Sequence, residues 1–186
     1  MQAAERLSKI PPYLFMELRK KINKAKADGV DVISLAIGDP VEATPDSIID
    51  ELCRTARNPE NHRYPTDEEK GMLAFRREVA RWYAERYGVT LDPETEILGL
   101  IGSKEGCHHF VLGRVNPGET VLMTDPGYPA YRSSILMGGG EPYNVPILPE
   151  NDYLPVFADI PTDVAKKATA MFLNYPNNPT GACATR

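Results

Sequence analysis

From Glu94 onward, short apolar runs alternate with stretches of helical periodicity, and this alternation constrains the fold more than any other feature of the chain. Ile97–Ile101, Val121–Thr124, Tyr143–Ile147 and Thr169–Leu173 have the length and composition of strands. Ser103 to about Val115, the stretch after Pro129 to about Met137, and Asp163–Ala168 behind a Thr162 cap have the pattern of helices. Strands separated by helices return to the same edge of a sheet and run parallel, and parallel sheets need apolar cover on their faces. The expected architecture is therefore α/β, a three-layer, mainly parallel sheet. No helix follows the last strand before residue 186, so the sheet is expected to be incomplete.

The first half has a different texture. Pro11-Pro12 opens a helix with Leu14, Phe15, Leu18, Ile22 and Ala25 on one face, lysines toward its end, and Gly29 as the stop. Asp31–Ile37 is expected to be a strand ended by Gly38-Asp39-Pro40. Thr44-Pro45 is a cap followed by proline at a first helical position, and Ile48, Ile49, Leu52 and Ala56 supply the buried face. That helix stops before Asn58-Pro59. The next has the stripe Met72, Phe75, Val79, Trp82 and Tyr83, and closes at Gly88. Seventeen prolines, against a usual share of about 5%, are dispersed among apolar runs and act as loop punctuation in a folded chain.

Several functional classes fall away on composition. No apolar run approaches the ~18 residues of a membrane-spanning helix, and the charged start, Met1-Gln2-Ala3-Ala4-Glu5-Arg6, lacks the apolar core of a secretory signal. Twenty-one basic against 26 acidic residues, without a basic stripe, argue against a nucleic-acid partner. Cys53, Cys107 and Cys183 have neither disulfide nor zinc spacing, so a reducing cytoplasm is the expected setting. Cys107-His108-His109 cannot share one helix face, which makes a metal site there unexpected.

Three loops at strand ends carry the candidate chemistry. Gly102-Ser103-Lys104-Glu105-Gly106 joins a strand to a helix, where unpaired N–H groups and a lysine suit a phosphate. It is neither a Walker loop nor a dinucleotide fingerprint. Asp125-Pro126-Gly127-Tyr128-Pro129 holds an aromatic ring between two prolines, at the strand end where α/β sheets place ligands. Asn174-Tyr175-Pro176-Asn177-Asn178-Pro179-Thr180-Gly181 is a rigid turn with two asparagines, one of which suits a ligand oxygen.

Those three loops, Arg63-Tyr64-Pro65 and Ile37-Gly38-Asp39-Pro40 occur in the order in which they stand in the class I/II aminotransferases. The chain resembles that family, the fold-type I enzymes dependent on pyridoxal 5′-phosphate (PLP), and within it the LL-diaminopimelate aminotransferase group. The resemblance implies an arm and small-domain segment at 1–43, and part of the PLP-binding large domain at 44–186. It implies that Ser103 and Lys104 form the phosphate cup, that Tyr128 stacks on the pyridine ring, and that Asn178 meets its phenolic oxygen. Tyr64 resembles the tyrosine that reaches the cofactor phosphate of the partner subunit, implying a homodimer. Ile37 and Gly38 resemble the loop over the substrate carboxylate. Amino-acid and 2-oxo-acid substrates follow from the same resemblance.

Two departures accompany it. Thr66–Lys70 is longer and more acidic than the family pattern. The Ser-x-x-Lys lysine that forms the Schiff base in family members is absent from the 186 residues, so no catalytic residue is assigned and the chain alone is expected to be inactive. A β-lyase or decarboxylase on the same fold, or a non-catalytic sensing module, are the alternative readings.

Overall fold

In the computed structural model the described residues are 4–12, 14–36, 38, 41–64 and 71–185, with the backbone alone at Leu14. They fall into two compact units, Met1–Pro12 with Gly102–Arg186, and Tyr13–Ile101. Compactness groups residues 44–101 with the segment before them, a different partition from the functional division expected at residue 43.

The first unit is built on three strands, β1 (Thr120–Asp125), β2 (Glu141–Pro146) and β3 (Ala168–Phe172), in the order β2-β1-β3. Both pairings are parallel, with Leu122 opposite Tyr143 on one side and Met171 on the other. This is the parallel α/β sheet that the alternation predicts. Val121, Leu122, Met123 and Thr124 are all buried, a continuous run that marks a central strand covered on both faces.

Two helices pack together beside this sheet, α5 (Ser103–Arg114) and α6 (Pro129–Met137). Val111 and Val115, Val121 and Met123, and Tyr131 and Ile135 make the core, with Ala170 and Phe172 of β3 against it. Tyr131 stacks on Phe172 at 4.6 Å between ring centroids, and Phe110 meets the same ring edge-on at 5.9 Å. Fully burying side chains of this size contributes about 1.5–3 kcal/mol each. The glycines after α6 are explained by this packing, since a Cβ on Gly138 would stand 2.5 Å from Val111 Cγ1.

At the far end of the sheet, Asn144 donates to the Asp125 carboxylate at 2.7 Å and accepts from Arg132, tying β2, β1 and α6 together. A short helix, α7 (Thr162–Lys167), leads directly into β3. Pro161, not Thr162, stands at its N-cap position, and no side chain caps it. Beyond β2, Asp152 and Tyr153 adopt φ values of +53° and +56°. Left-handed backbone costs a non-glycine residue roughly 1–2 kcal/mol. α1 (Glu5–Ser8) belongs to the same unit and touches α6, where Arg6 donates to the Met137 carbonyl at 3.4 Å.

The second unit holds α2 (Leu14–Ala27), α3 (Asp46–Ala56) and α4 (Leu73–Tyr87). α4 closes at Gly88, whose φ of +67° lets its N–H return to the Ala84 carbonyl. Pro45 stands one place earlier than expected, at the N-cap with ψ of 137°, and Thr44 does not cap the helix. The expected strands at Asp31–Ile37 and Ile97–Ile101 do not form: residues 31–36 and 97–101 are irregular, and Ile37 lies outside the described residues. A strand needs a neighbour for its N–H and C=O groups, and neither segment has one among the described residues.

The stripe expected to bury α4 is also corrected. Phe75, Trp82 and Tyr83 are exposed and Arg76 is the buried residue of the helix. Trp82, Tyr83 and Tyr87 instead cover one another, with ring centroids 5.2–5.5 Å apart. The face of α3 formed by Ile48, Ile49 and Leu52 is likewise exposed, against expectation.

Candidate functional site

Strand order reverses about β1. The chain leaves it for β2 on one side, then returns to lay β3 along the other. In open α/β sheets the carboxyl ends of strands at such a reversal form the crevice where ligands bind. Two of the three candidate loops follow β1 and β3 at that end.

Tyr128 sits at the N-cap position of α6 with extended backbone, φ −63° and ψ 123°. Its ring is half-buried and meets Tyr131 edge-on at 5.5 Å, so its orientation is set by the core. Gly127 is required beneath it. A Cβ there would stand 2.3 Å from the Thr124 carbonyl oxygen and 3.2 Å from Thr124 Oγ1. That hydroxyl is also the single buried side-chain N or O atom among the described residues with no hydrogen-bond partner.

The third loop opens α5. Gly102 adopts φ +87° and no side chain caps the helix, so its first N–H groups are not taken up by a capping side chain. Ser103 is the first helical residue and Lys104 the second, both exposed. Lys104 Nζ lies 6.0 Å from the Tyr128 ring centroid, which brings the cationic helix start and the aromatic ring to one place. A helix start without a side-chain cap, the Lys104 ammonium and the Tyr128 ring thus stand close together.

The two asparagines of the last turn separate cleanly. Asn177 is buried: its Nδ2 donates to Thr180 Oγ1 at 2.9 Å, its N–H reaches the Ala182 carbonyl at 2.8 Å, and its carbonyl accepts from Gly181 N–H at 2.7 Å. Asn178 is exposed on the turn that Asn177 builds, and its side chain bonds to no described residue. Composition gives no signal for this division, because adjacent asparagines have the same chemistry until the chain folds; only the motif order, through the resemblance, singled out Asn178.

Tyr64 and Gly38 belong to the other compact unit and both are exposed. Ile37 lies outside the described residues. Among the described residues no three His, Cys, Asp or Glu side chains gather to hold a metal ion, and no helix is long and apolar enough to cross a membrane.

Cys107 stands one turn after Ser103 and packs against the core; burial pushes its thiol above the ordinary range. The thiolate is the nucleophile, so a raised pKa lowers reactivity at neutral pH. Iodoacetamide is expected to modify the exposed Cys53 and Cys183 before Cys107. Peptide mass spectrometry over a time course checks this, and equal rates at the three positions contradict it.

Residues 30–186 match the family model for aminotransferase class I and II. The chain is 55% identical over 184 residues to the LL-diaminopimelate aminotransferase of Moorella thermoacetica, covering 99% of this chain and 47% of that protein. It is 50% identical to the enzyme of the same name from Halothermothrix orenii, with the same coverage. Among solved structures, BacF from Bacillus subtilis superposes with a TM-score of 0.90 at 37% identity, covering 100% of this chain and 47% of that one. A probable N-succinyldiaminopimelate aminotransferase from Thermus thermophilus gives 0.85 at 34%, covering 93% and 46%. The chain spans about half the length of the curated relatives it matches. With that match over residues 30–186 and a parallel sheet whose strand order reverses about β1, the chain belongs to the class I and II aminotransferases.

Proposed function

We propose that this chain supplies the cofactor cradle of a PLP-dependent aminotransferase, which in complete form moves an amino group between an amino acid and a 2-oxo acid. The observation that carries the reading is the meeting of Lys104 and Tyr128 at the start of α5 and the end of β1. The residues present fit the group: a helix start without a side-chain cap and a lysine for a phosphate, a fixed ring for a heteroaromatic plane, and a buried hydroxyl with no partner beneath the loop.

When bound, PLP supplies the electron sink that makes the α-proton of an amino acid labile. The chain's own residues do the holding. The first N–H groups of α5 and the Ser103 hydroxyl donate to phosphate oxygens, and the Lys104 ammonium neutralises them. Tyr128 would stack on the heteroaromatic ring and shield it from water. Asn178 Nδ2 donates to the ring's phenolic oxygen, favouring its ionised form. Tyr64 is assigned to the phosphate of a partner subunit in a homodimer, and Ile37 and Gly38 to the loop over the substrate carboxylate. LL-Diaminopimelate is the favoured substrate, on the names of the relatives at 50% identity or more. Domain roles follow, with 1–43 as arm and small-domain segment and 44–186 in the large domain. Three free cysteines fit a cytoplasmic setting.

Binding is tested with 4′-deoxypyridoxine 5′-phosphate, which lacks the aldehyde and cannot condense with surface lysines. Saturable binding is expected, competed by inorganic phosphate, and weakened about tenfold by Lys104→Ala, the size of one charge-assisted contact. The same chain mixed with PLP, an amino acid and a 2-oxo acid is expected to produce no new amino acid, since it carries no Ser-x-x-Lys. Absence of saturable binding, or steady turnover by these 186 residues, overturns the reading.

A further inference from the structure

Tyr175 lies in the Asn178 turn, yet the cofactor reading gives it no role. Its hydroxyl donates to the Tyr153 carbonyl at 2.7 Å, across 22 positions of sequence. Burial raises its pKa, so it remains a donor through the neutral range. What accepts this bond is unusual. Asp152 and Tyr153 are the two non-glycine residues among the described ones at positive φ, and a bulky aromatic residue in the left-handed region is an outlier. Strain of this kind persists where the surroundings over-determine it, and it clusters where a structure must hold an exact atom in place.

The surroundings do over-determine it. Tyr153 N–H reaches the Leu148 carbonyl at 2.9 Å, Leu154 N–H reaches the Asn151 carbonyl at 2.8 Å, and Ile147 bridges Pro155 in antiparallel fashion. The Tyr153 carbonyl is therefore held on a tight, tied turn that is anchored to the end of β2. On the other side, Asn177 locks the 177–182 loop internally through Thr180, Gly181 and Ala182, but those bonds fix the loop only to itself. Two positions before this loop, the Tyr175 hydroxyl makes a side-chain bond that, among the described residues, fastens the segment leading into it to a second element of the unit.

From this geometry we infer that Tyr175 is a positioning residue: latched to the strained Tyr153 turn, it fixes where Asn178 stands at the end of β3, and so sets the contact of Asn178 with the phenolic oxygen of a bound pyridoxal phosphate. The inference rests on the cofactor reading above. It assigns the left-handed turn at 152–153, which no part of that reading uses, to the aim of one asparagine. Phosphate recognition, on α5, is independent of it.

The test compares the whole chain with Tyr175→Phe and Tyr153→Gly. In Tyr175→Phe, hydrogen exchange at the amides of Asn177 and Gly181 is expected to quicken about tenfold, while the amides of β1 and β2 keep their protection. Affinity for 4′-deoxypyridoxine 5′-phosphate falls about three- to tenfold, as for the loss of one hydrogen bond. The ultraviolet band of the bound 3-hydroxypyridine then titrates closer to that of the free ligand, while affinity for inorganic phosphate is unchanged. Tyr153→Gly keeps the accepting carbonyl and relieves the strain, so it retains wild-type values in all of these measurements.

Unchanged exchange and an unchanged band in Tyr175→Phe overturn the latch and leave the cofactor reading standing. Loosening that extends to β1 and β2, with phosphate affinity lost in step, also overturns it by making Tyr175 an ordinary structural residue. Failure of the wild-type chain to bind the analogue overturns the cofactor reading itself, and the role assigned to Tyr175 with it.

Discussion

Alanine at Gly127 is expected to destabilise the Gly102–Arg186 unit by about 1–3 kcal/mol, the usual range for forcing one extra carbon into close-packed surroundings. The added Cβ would sit 2.3 Å from the Thr124 carbonyl oxygen and 3.3 Å from its carbon. Both atoms are backbone of the central strand, so no side chain can swing aside and the loop must move instead. For a unit of this size each kcal/mol lowers the melting midpoint by roughly 4–8 °C. The ring of Tyr128 moves with the loop, so affinity for the cofactor analogue falls as well. Gly113→Ala is the control: it lies within α5, its Cβ meets nothing within 4 Å, and alanine there is expected to raise stability by up to about 1 kcal/mol. Circular-dichroism melts of the two variants decide it, and a wild-type midpoint for Gly127→Ala refutes the steric argument.

The second large effect belongs to Arg76. Its side chain is 2% exposed, Nε donates to the Gly71 carbonyl at 2.9 Å, and Nη1 donates to the Pro93 carbonyl. Glu94 lies 3.7 Å away but is 57% exposed, and an ion pair open to solvent contributes at most ~1 kcal/mol. The two carbonyl bonds, by contrast, are made by a guanidinium shielded from solvent, where a lost donor is costly. Arg76→Met, which leaves acceptors on both flanking segments without their donor, is expected to cost about 2–4 kcal/mol, whereas Glu94→Gln changes stability by less than ~1 kcal/mol. Arg76→Lys does not rescue the loss, because one ammonium cannot reproduce the planar fork that serves two carbonyls at once. Hydrogen exchange across the Tyr13–Ile101 unit measures the effect. A larger loss for Glu94→Gln than for Arg76→Met reverses the ranking.

Arg76 also illustrates what the sequence conceals. A hydrophobic stripe ranks Phe75 and Trp82 as the buried residues of α4, yet burial there follows from two backbone carbonyls that need a donor, and the carbonyls at Gly71 and Pro93 have no signature in side-chain periodicity. The βαβ portion was legible for the opposite reason: Val121–Thr124 and the helices beside it are specified by local period and by Gly, Pro and Asn at their ends. Ile97–Ile101 is as apolar as Val121–Thr124 but has no neighbour among the described residues to pair with. Strand character needs a second strand, and one segment cannot declare it. The candidate site divides in the same way. Motif order singled out the loops and Asn178, while the reason Asn177 is not the displayed residue, its burial and its bond to Thr180, became visible only with the folded turn.

The placement of β3 has a kinetic consequence. Thr120 pairs with Ala168 across the whole excursion through β2 and α7, so this is a non-local contact, of the kind that closes late because loop entropy is spent before the pairing rewards it. The ring-bearing loop belongs to β1 and the asparagine turn to β3. A ligand that needs both therefore recognises only molecules in which the third strand has docked, and its binding shifts the population toward them. In a mixture of partly and fully assembled chains, occupancy of the crevice counts the finished ones.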